Sequence, residues 1–222
     1  MIQAIIFDMD GLLIDSEPIW LEAAQHTMRK INFKLTEELK QQTTGLACQL
    51  FLEYCHKIQP WDTPTFDEME AEIISYAHAK ILSSATAMPG AIDLVKDLHR
   101  RGMPLAVASA SHMELIEGVL DRLSLRQYFT TWHSGTLEEF TKPHPAVYLS
   151  TALKLGVPPQ ACLAIEDSHA GLQSARSAGM TTISVPAPEV FHHSKFEIAD
   201  FKLASLAEFD FASLVEVASN RP

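Results

Sequence analysis

The sequence predicts an α/β protein built on a parallel sheet, with a helical unit inserted after the first strand. Three observations carry this. The apolar run Ile5-Ile6-Phe7 ends at Asp8-Met9-Asp10-Gly11, as a buried strand does when a turn closes it. Residues 18 to 83 then show helical spacing and no convincing strand. From Met88-Pro89-Gly90 onward, short apolar runs alternate with amphipathic helices, the pattern of a parallel sheet covered on both faces.

The elements follow in order. In the inserted stretch, Trp20, Ala24, Met28 and Ile31 recur at helical spacing, with Ile19 and Ala23 beside them; Phe66, Met69, Ile73, Ala77 and Ile81 do so later. Thr43-Thr44-Gly45 reads as a break and Gln59 to Pro64 as a loop. Ala91 to Arg101 is an amphipathic helix on Ile92, Val95 and Leu98, stopped by Gly102. Leu105 to Ala108 is a buried strand ending at Ser109. Ser111-His112-Met113-Glu114 has the form of a capping box for the next helix. A weaker strand lies near Phe129 to His133. Ala146 to Leu155 is a helix between Pro145 and Gly156. Ala161 to Ile165 is a strand ending at Glu166-Asp167, Ser168 caps the following helix, and Thr181 to Val185 is a further strand. The tail from Phe191 has a weak pattern and is expected to finish the core. The domains are therefore a core of residues 1–15 and 85–222 and a helical cap of residues 16–84. The cap leaves the core just after the two aspartates, where a lid over them would be anchored.

Composition narrows the function classes. Of 222 residues, 47% are apolar and 20% charged, as in ordinary globular proteins. A net charge of −11 argues against nonspecific nucleic-acid binding, which runs on Lys and Arg. It also means that an anionic substrate needs a local cationic pocket. The first residues lack a basic segment and meet an acid at Asp8, unlike a signal peptide. No apolar run approaches the roughly 18 residues of a membrane span. Three cysteines without a CxxC read as buried thiols in a reducing cytoplasm. The expectation is a cytoplasmic monomer with no nucleic acid and no membrane as partner.

The chemistry-bearing residues stand at four strand ends: Asp8 and Asp10, Ser109, Lys142 in Thr141-Lys142-Pro143, and Glu166-Asp167. Parallel strands bring such ends to one edge of the sheet, where open α/β sheets bind ligands. Asp8 and Asp10, two apart on an extended chain, can project to one side. Close carboxylates repel unless a cation or a proton intervenes. The pattern fits phosphoryl transfer, with Asp8 attacking phosphorus and Asp10 acting as acid and then base. Mg²⁺ would take Asp8, the Asp10 backbone carbonyl and Asp167, with Glu166 binding directly or through water. Ser109 and Ala110 would hold the phosphate, and Lys142 would offset its charge. Taken singly, each residue has a plainer reading: Asp and Gly after a strand make turns, lysines sit on surfaces, and Glu166-Asp167-Ser168 can be a helix cap with first-turn acids. Asp15 and Glu17 can shape the site or simply favour a helix start. His192-His193 lies in a loop without an acid partner and reads as surface.

FDMDGLLIDSE, VASAS, KPHPAVYL and IEDSHAGLQSARSAGM together resemble the haloacid dehalogenase superfamily, over almost the whole chain. The resemblance implies a Rossmann-like core, a helical cap of the C1 type and a Mg²⁺-dependent phosphatase of a small phosphorylated metabolite. Gln59-Pro60-Trp61, the SAS at 109 to 111, and Val185 to Glu189 resemble members that dephosphorylate hexitol phosphates or 2-deoxyglucose 6-phosphate. Dehalogenases lack the second acid, which is present here as Asp10. β-Phosphoglucomutases carry a His on the first cap helix, where this chain has Trp20. Sugar-phosphate members often place an Arg in the cap loop where this chain has Leu46-Ala47-Cys48-Gln49. The alternatives are an enzyme like β-phosphoglucomutase or phosphoglycolate phosphatase, or a noncatalytic domain that keeps a phosphate on Asp8. The last has no use for Asp10.

Overall fold

The computed structural model describes residues 1–43 and 48–211. In chain order the elements are β1 (Ala4–Phe7), α1 (Glu17–Arg29), α2 (Glu37–Thr43), α3 (Cys48–Ile58), α4 (Phe66–Ser84), α5 (Ala91–Arg100), β2 (Leu105–Ser109), α6 (Met113–Arg122), β3 (Thr131–Ser134), α7 (Ala146–Leu155), β4 (Cys162–Glu166), α8 (His169–Ser177), β5 (Thr181–Ser184) and β6 (Phe201–Lys202). The chain divides into two compact units, Met1–Asp15 with Thr86–Pro222, and Ser16–Ala85.

The first unit is one sheet in the order β3-β2-β1-β4-β5-β6, with every neighbouring pair parallel. β1 lies where the strand order reverses, between β2 and β4. Every residue of β1, β2 and β4 is buried, as both-sided helix cover requires. Alternation assigns the faces. Ala4 and Ile6, Ala106 and Ala108, and Cys162 and Ala164 form one row with Val147, Tyr148 and Ala152 of α7 and Ala175 of α8. Small strand residues on this face make room for the large Tyr148 side chain. The tail adds the two-residue β6, and Phe196 and Leu206 are buried. Asp200 fixes the edge by accepting from the N–H (2.8 Å) and hydroxyl (3.1 Å) of Thr182.

Among its described residues the second unit has four helices, α1 to α4. α1 buries Ile19, Ala23, Thr27 and Met28, and α4 buries Met69, Ile73, Ala77 and Ile81. The α4 stripe is the one the spacing predicts. Of the residues that the spacing picks out in α1, Ile19, Ala23 and Met28 are buried, Trp20 and Ala24 are only half-buried, and Ile31 lies beyond the helix. The buried row also takes in polar Thr27, which a count of apolar residues passes over. Trp61 packs on His56 and Phe66, and its indole N–H donates to the Pro64 carbonyl at 3.0 Å. In the predicted break, α2 ends at Thr43, and Thr44 and Gly45 lie outside the described residues. No helix among the described residues is long and apolar enough to cross a membrane.

Candidate active site

Register builds the site. β1 and β4 pair Ile6 with Ala164 and Phe7 with Ile165, so one step on Asp8 stands beside Glu166. The Asp8 N–H donates to the Ile165 carbonyl at 3.0 Å, which extends the ladder by that step. Asp8 continues the row Ala4, Ile6, and Glu166 the row Cys162, Ala164. Both carboxyls therefore face α7, about one strand spacing (~4.8 Å) apart.

Lys142 comes from the loop after β3 and lies between them. Its Nζ donates to Asp8 Oδ1 (2.6 Å), Glu166 Oε1 (2.6 Å) and the Ala108 carbonyl (3.0 Å). Lys142 and Asp8 side chains are 8% and 9% exposed, and Glu166 is wholly buried. Burial raises the Asp8 carboxyl from 3.8 to about 8, and Glu166 and Asp10 push it the same way against Lys142. Burial works to discharge Lys142, but Asp8 and Glu166 outweigh it and hold the ammonium above its usual range. Burial thus works against the charged form of Asp8, and a further cation beside it would relieve that.

Glu166 accepts at both oxygens. The Tyr148 hydroxyl reaches Oε1 at 2.7 Å, and the Ser168 N–H (3.3 Å) and hydroxyl (3.1 Å) reach Oε2. The first turn of α8 lies against the same carboxylate. A Cβ on Gly171 would fall 1.8 Å from Glu166 Oε1, so only glycine fits there. Gly11, at φ +73°, meets Asp167 in the same way: its Cβ would lie 2.3 Å from Asp167 Oδ2.

Asp8, Glu166 and Asp167 bring carboxylate oxygens within 4.8 Å of one another, the one such cluster among the described residues. Clustered hard oxygens suit Mg²⁺. Asp8 tests the fit: its charged form is penalised by burial, and a divalent cation at this donor set supplies the missing positive charge.

Asp10 has a separate environment. The strand ends at Phe7, and the Asp10 carboxylate accepts from the Ser111 hydroxyl at 2.7 Å and the Ser109 hydroxyl at 3.4 Å. Its side chain lies outside the three-carboxylate cluster. Asp8 is thus held by Lys142, and Asp10 by Ser109 and Ser111. The Ser109 hydroxyl also accepts from the Ser111 N–H at 3.0 Å. Ala110, exposed, follows β2, and its Cα lies 3.4 Å from where a Cβ on Gly135 would be. The predicted capping box at Ser111 does not form. α6 starts from His112 without a side-chain cap, because the Ser111 hydroxyl goes to Asp10 instead. Asp15 and Glu17 are exposed, as are His192 and His193.

The family model of haloacid dehalogenase-like hydrolases matches residues 5–185. The chain belongs to that family. It is 37% identical over 215 residues to hexitol phosphatase B of Escherichia coli K12, covering 96% of this chain and 97% of that protein. It is 30% identical over 185 residues to fructose-1-phosphate phosphatase YqaB of the same organism, covering 82% and 95%. Among solved structures, CbbY from Rhodobacter sphaeroides in complex with phosphate aligns with a TM-score of 0.81 at 27% identity, over 94% of this chain and 96% of that one. This haloacid dehalogenase-like hydrolase is a phosphoric monoester hydrolase.

Two polar residues of the hydrolase's edge escaped sequence reasoning: Ser111, which reads locally as a helix cap, and Tyr148, which reads as the apolar face of α7. The KPHPAVYL string contains Tyr148 six residues after Lys142, and that is the only signal of it.

Proposed function

We propose that this hydrolase is a Mg²⁺-dependent, cytoplasmic phosphatase of a small sugar phosphate, a hexitol phosphate or 2-deoxyglucose 6-phosphate, working through a phosphoaspartate on Asp8. The observation that carries the reading is the division of labour between the two aspartates. Asp8 sits in a charged, nearly dry cluster with Lys142, while Asp10 rests on two hydroxyls. The sugar-phosphate assignment is supported by relatives named for hexitol and fructose-1-phosphate substrates.

The steps follow from these residues. An Asp8 oxygen attacks phosphorus, and the bond from phosphorus to the sugar oxygen breaks. Asp10 gives its proton to that leaving oxygen. Asp10, now a carboxylate held by Ser109 and Ser111, takes a proton from water as the water attacks the phosphoaspartate. Phosphate leaves, and the Asp8 carboxylate and the Asp10 acid are restored. Lys142, Ser109 and the backbone at Ala110 bind the phosphoryl oxygens. Asp8, Asp167, the Asp10 carbonyl and Glu166 would hold Mg²⁺, which supplies charge to keep Asp8 ionised and to neutralise the phosphoryl group.

The test is a screen of purified protein on hexitol, hexose and deoxyhexose phosphates, phosphoglycolate and nucleotides. EDTA-stripped protein should be inactive and recover with Mg²⁺. Full turnover in chelator removes the metal assignment. A clear preference for phosphoglycolate or nucleotides removes the sugar phosphate.

A further inference from the structure

Lys142 has three N–H groups, and all three are in use: on Asp8, on Glu166 and on the Ala108 carbonyl. If Lys142 binds the transferring phosphoryl group, it must first release one of these acceptors. Release of Glu166 is the costly case, because that carboxylate is wholly buried and a buried oxygen left without a donor is strongly penalised.

Tyr148 stands at that oxygen. Its hydroxyl donates to Glu166 Oε1 at 2.7 Å, the atom that also accepts from Lys142, and its ring face lies 5.0 Å from Lys142 Nζ. The side chain is wholly buried, and its phenol O–H faces a carboxylate oxygen, which can only accept. Ser168 covers the other oxygen of Glu166. With Lys142 gone, both oxygens would still have a partner. A phenylalanine would fill the same space against Ala106 and Ala164 without this property.

We infer that Tyr148 is a positioning residue: it keeps Glu166 partnered while Lys142 moves from Glu166 to the phosphoryl group, and its ring gives the ammonium a face to move across. The inference rests on the Asp8 phosphatase reading. Lys142 would then be free in the transition state at little cost, while the resting enzyme keeps it stored between two carboxyls.

Tyr148→Phe removes the one oxygen and keeps the ring. The expected result is a kcat lower by about tenfold or more, the effect of one hydrogen bond to a charged group. KM for the preferred substrate should stay within about twofold, because the lost interaction matters only once Lys142 has moved. Inhibition by vanadate, which mimics the five-coordinate phosphoryl group, should weaken by the same factor as kcat. A variant with wild-type kcat and wild-type vanadate affinity overturns the inference. So does a variant in which kcat, KM and melting temperature all worsen together, since that is the signature of packing. Wild-type protein that turns over no phosphate ester would instead remove the phosphatase reading beneath it, and the two failures cannot be confused.

Discussion

The two units share surface ion pairs, and the sheet unit adds buried ones. In the helical unit the described pairs lie at the surface, as do those of Arg100, Arg101 and Arg126 in the sheet unit. Lys30 meets Glu72 at 2.5 Å with side chains 54% and 28% exposed, and Lys80 meets Glu22 at 2.9 Å. Both tie α1 to α4 over a seam already held by Ile19, Ala23, Met69 and Ile73. Such pairs are screened and add little. In the sheet unit the pairs of Lys142 with Asp8 and Glu166 are buried. Taking such ions out of water costs several kcal/mol each, and a well-packed apolar replacement is often no less stable. The sheet unit keeps these charges at the expense of stability, and the place where it does so is the edge where four strand ends meet. The buried charge of Lys142, Asp8 and Glu166 stands at the proposed chemistry, while the surface pairs of both units belong to the scaffold.

The sharpest way to break this contrast is Asp8→Asn. An amide is a poor nucleophile, so turnover should vanish and no phosphoenzyme should form. The same change removes a charge that burial already penalises, so the melting temperature should hold or rise. Asp10→Asn should slow turnover roughly 10²–10⁴-fold by removing acid–base help, and let phosphoaspartate build up on Asp8. Mass spectrometry of acid-quenched protein reads both. Covalent phosphate on another residue, or an Asp8→Asn protein far less stable than wild type, would end the argument that this charge serves chemistry rather than the fold.

The next effect is smaller and has a definite sign. The Asp8 carboxyl titrates near 3.8 when unfolded and is raised to about 8 when folded. Between those values the folded state holds a proton that the unfolded state has shed. Metal-free stability should therefore fall as pH rises from about 5 to 8, by up to about 1.4 kcal/mol per pH unit. Below the unfolded value the penalty disappears. Asp8→Asn lacks the group, so the difference between its melting curves and the wild type's isolates this titration from all others. Mg²⁺ selects the ionised carboxylate, so its stabilisation should grow with pH over the same window. Parallel pH profiles for wild type and Asp8→Asn in EDTA would show that Asp8 carries no buried penalty.

The same contrast explains what the sequence made legible. Elements specified by nearby residues were readable: β1 from its apolar run, α7 from Pro145 and Gly156, α8 from Ser168, and α4 from its stripe. The meeting of strand ends was readable too, because a parallel sheet allows little else. Partners set across long separations were not. Ser111 reaches Asp10 across 101 positions, so local grammar assigned it to a helix cap. Tyr148 looks like any apolar helix position until α7 is packed on the sheet and its hydroxyl meets Glu166. Thr27 of α1 is buried among apolar neighbours, and its polarity conceals that. The two-residue β6 owes its place to Asp200 and Thr182 rather than to its own composition.

The smallest effect belongs to the helical unit and tests the other half of the contrast. α4 begins with a capping box: the Thr65 hydroxyl accepts from the Glu68 N–H at 3.2 Å, and the Glu68 carboxylate accepts from the Thr65 N–H at 2.8 Å. Two N–H groups that the helix cannot satisfy itself are satisfied locally, without any buried charge. Thr65→Ala removes one of them at an exposed position, and water takes over part of the role. The loss should be about 1 kcal/mol, which for a chain of this size lowers the melting temperature by about 2–4 °C. Asp8, Asp10, Lys142, Glu166 and Asp167 all belong to the other unit, so kcat on a small substrate such as acetyl phosphate should equal the wild-type value at a temperature where both proteins are folded. If Thr65→Ala lowered kcat as strongly as the substitutions of Asp10 or Tyr148, the helical unit would share in the phosphoryl chemistry, and its exposed polar groups would need to be reread as more than scaffold.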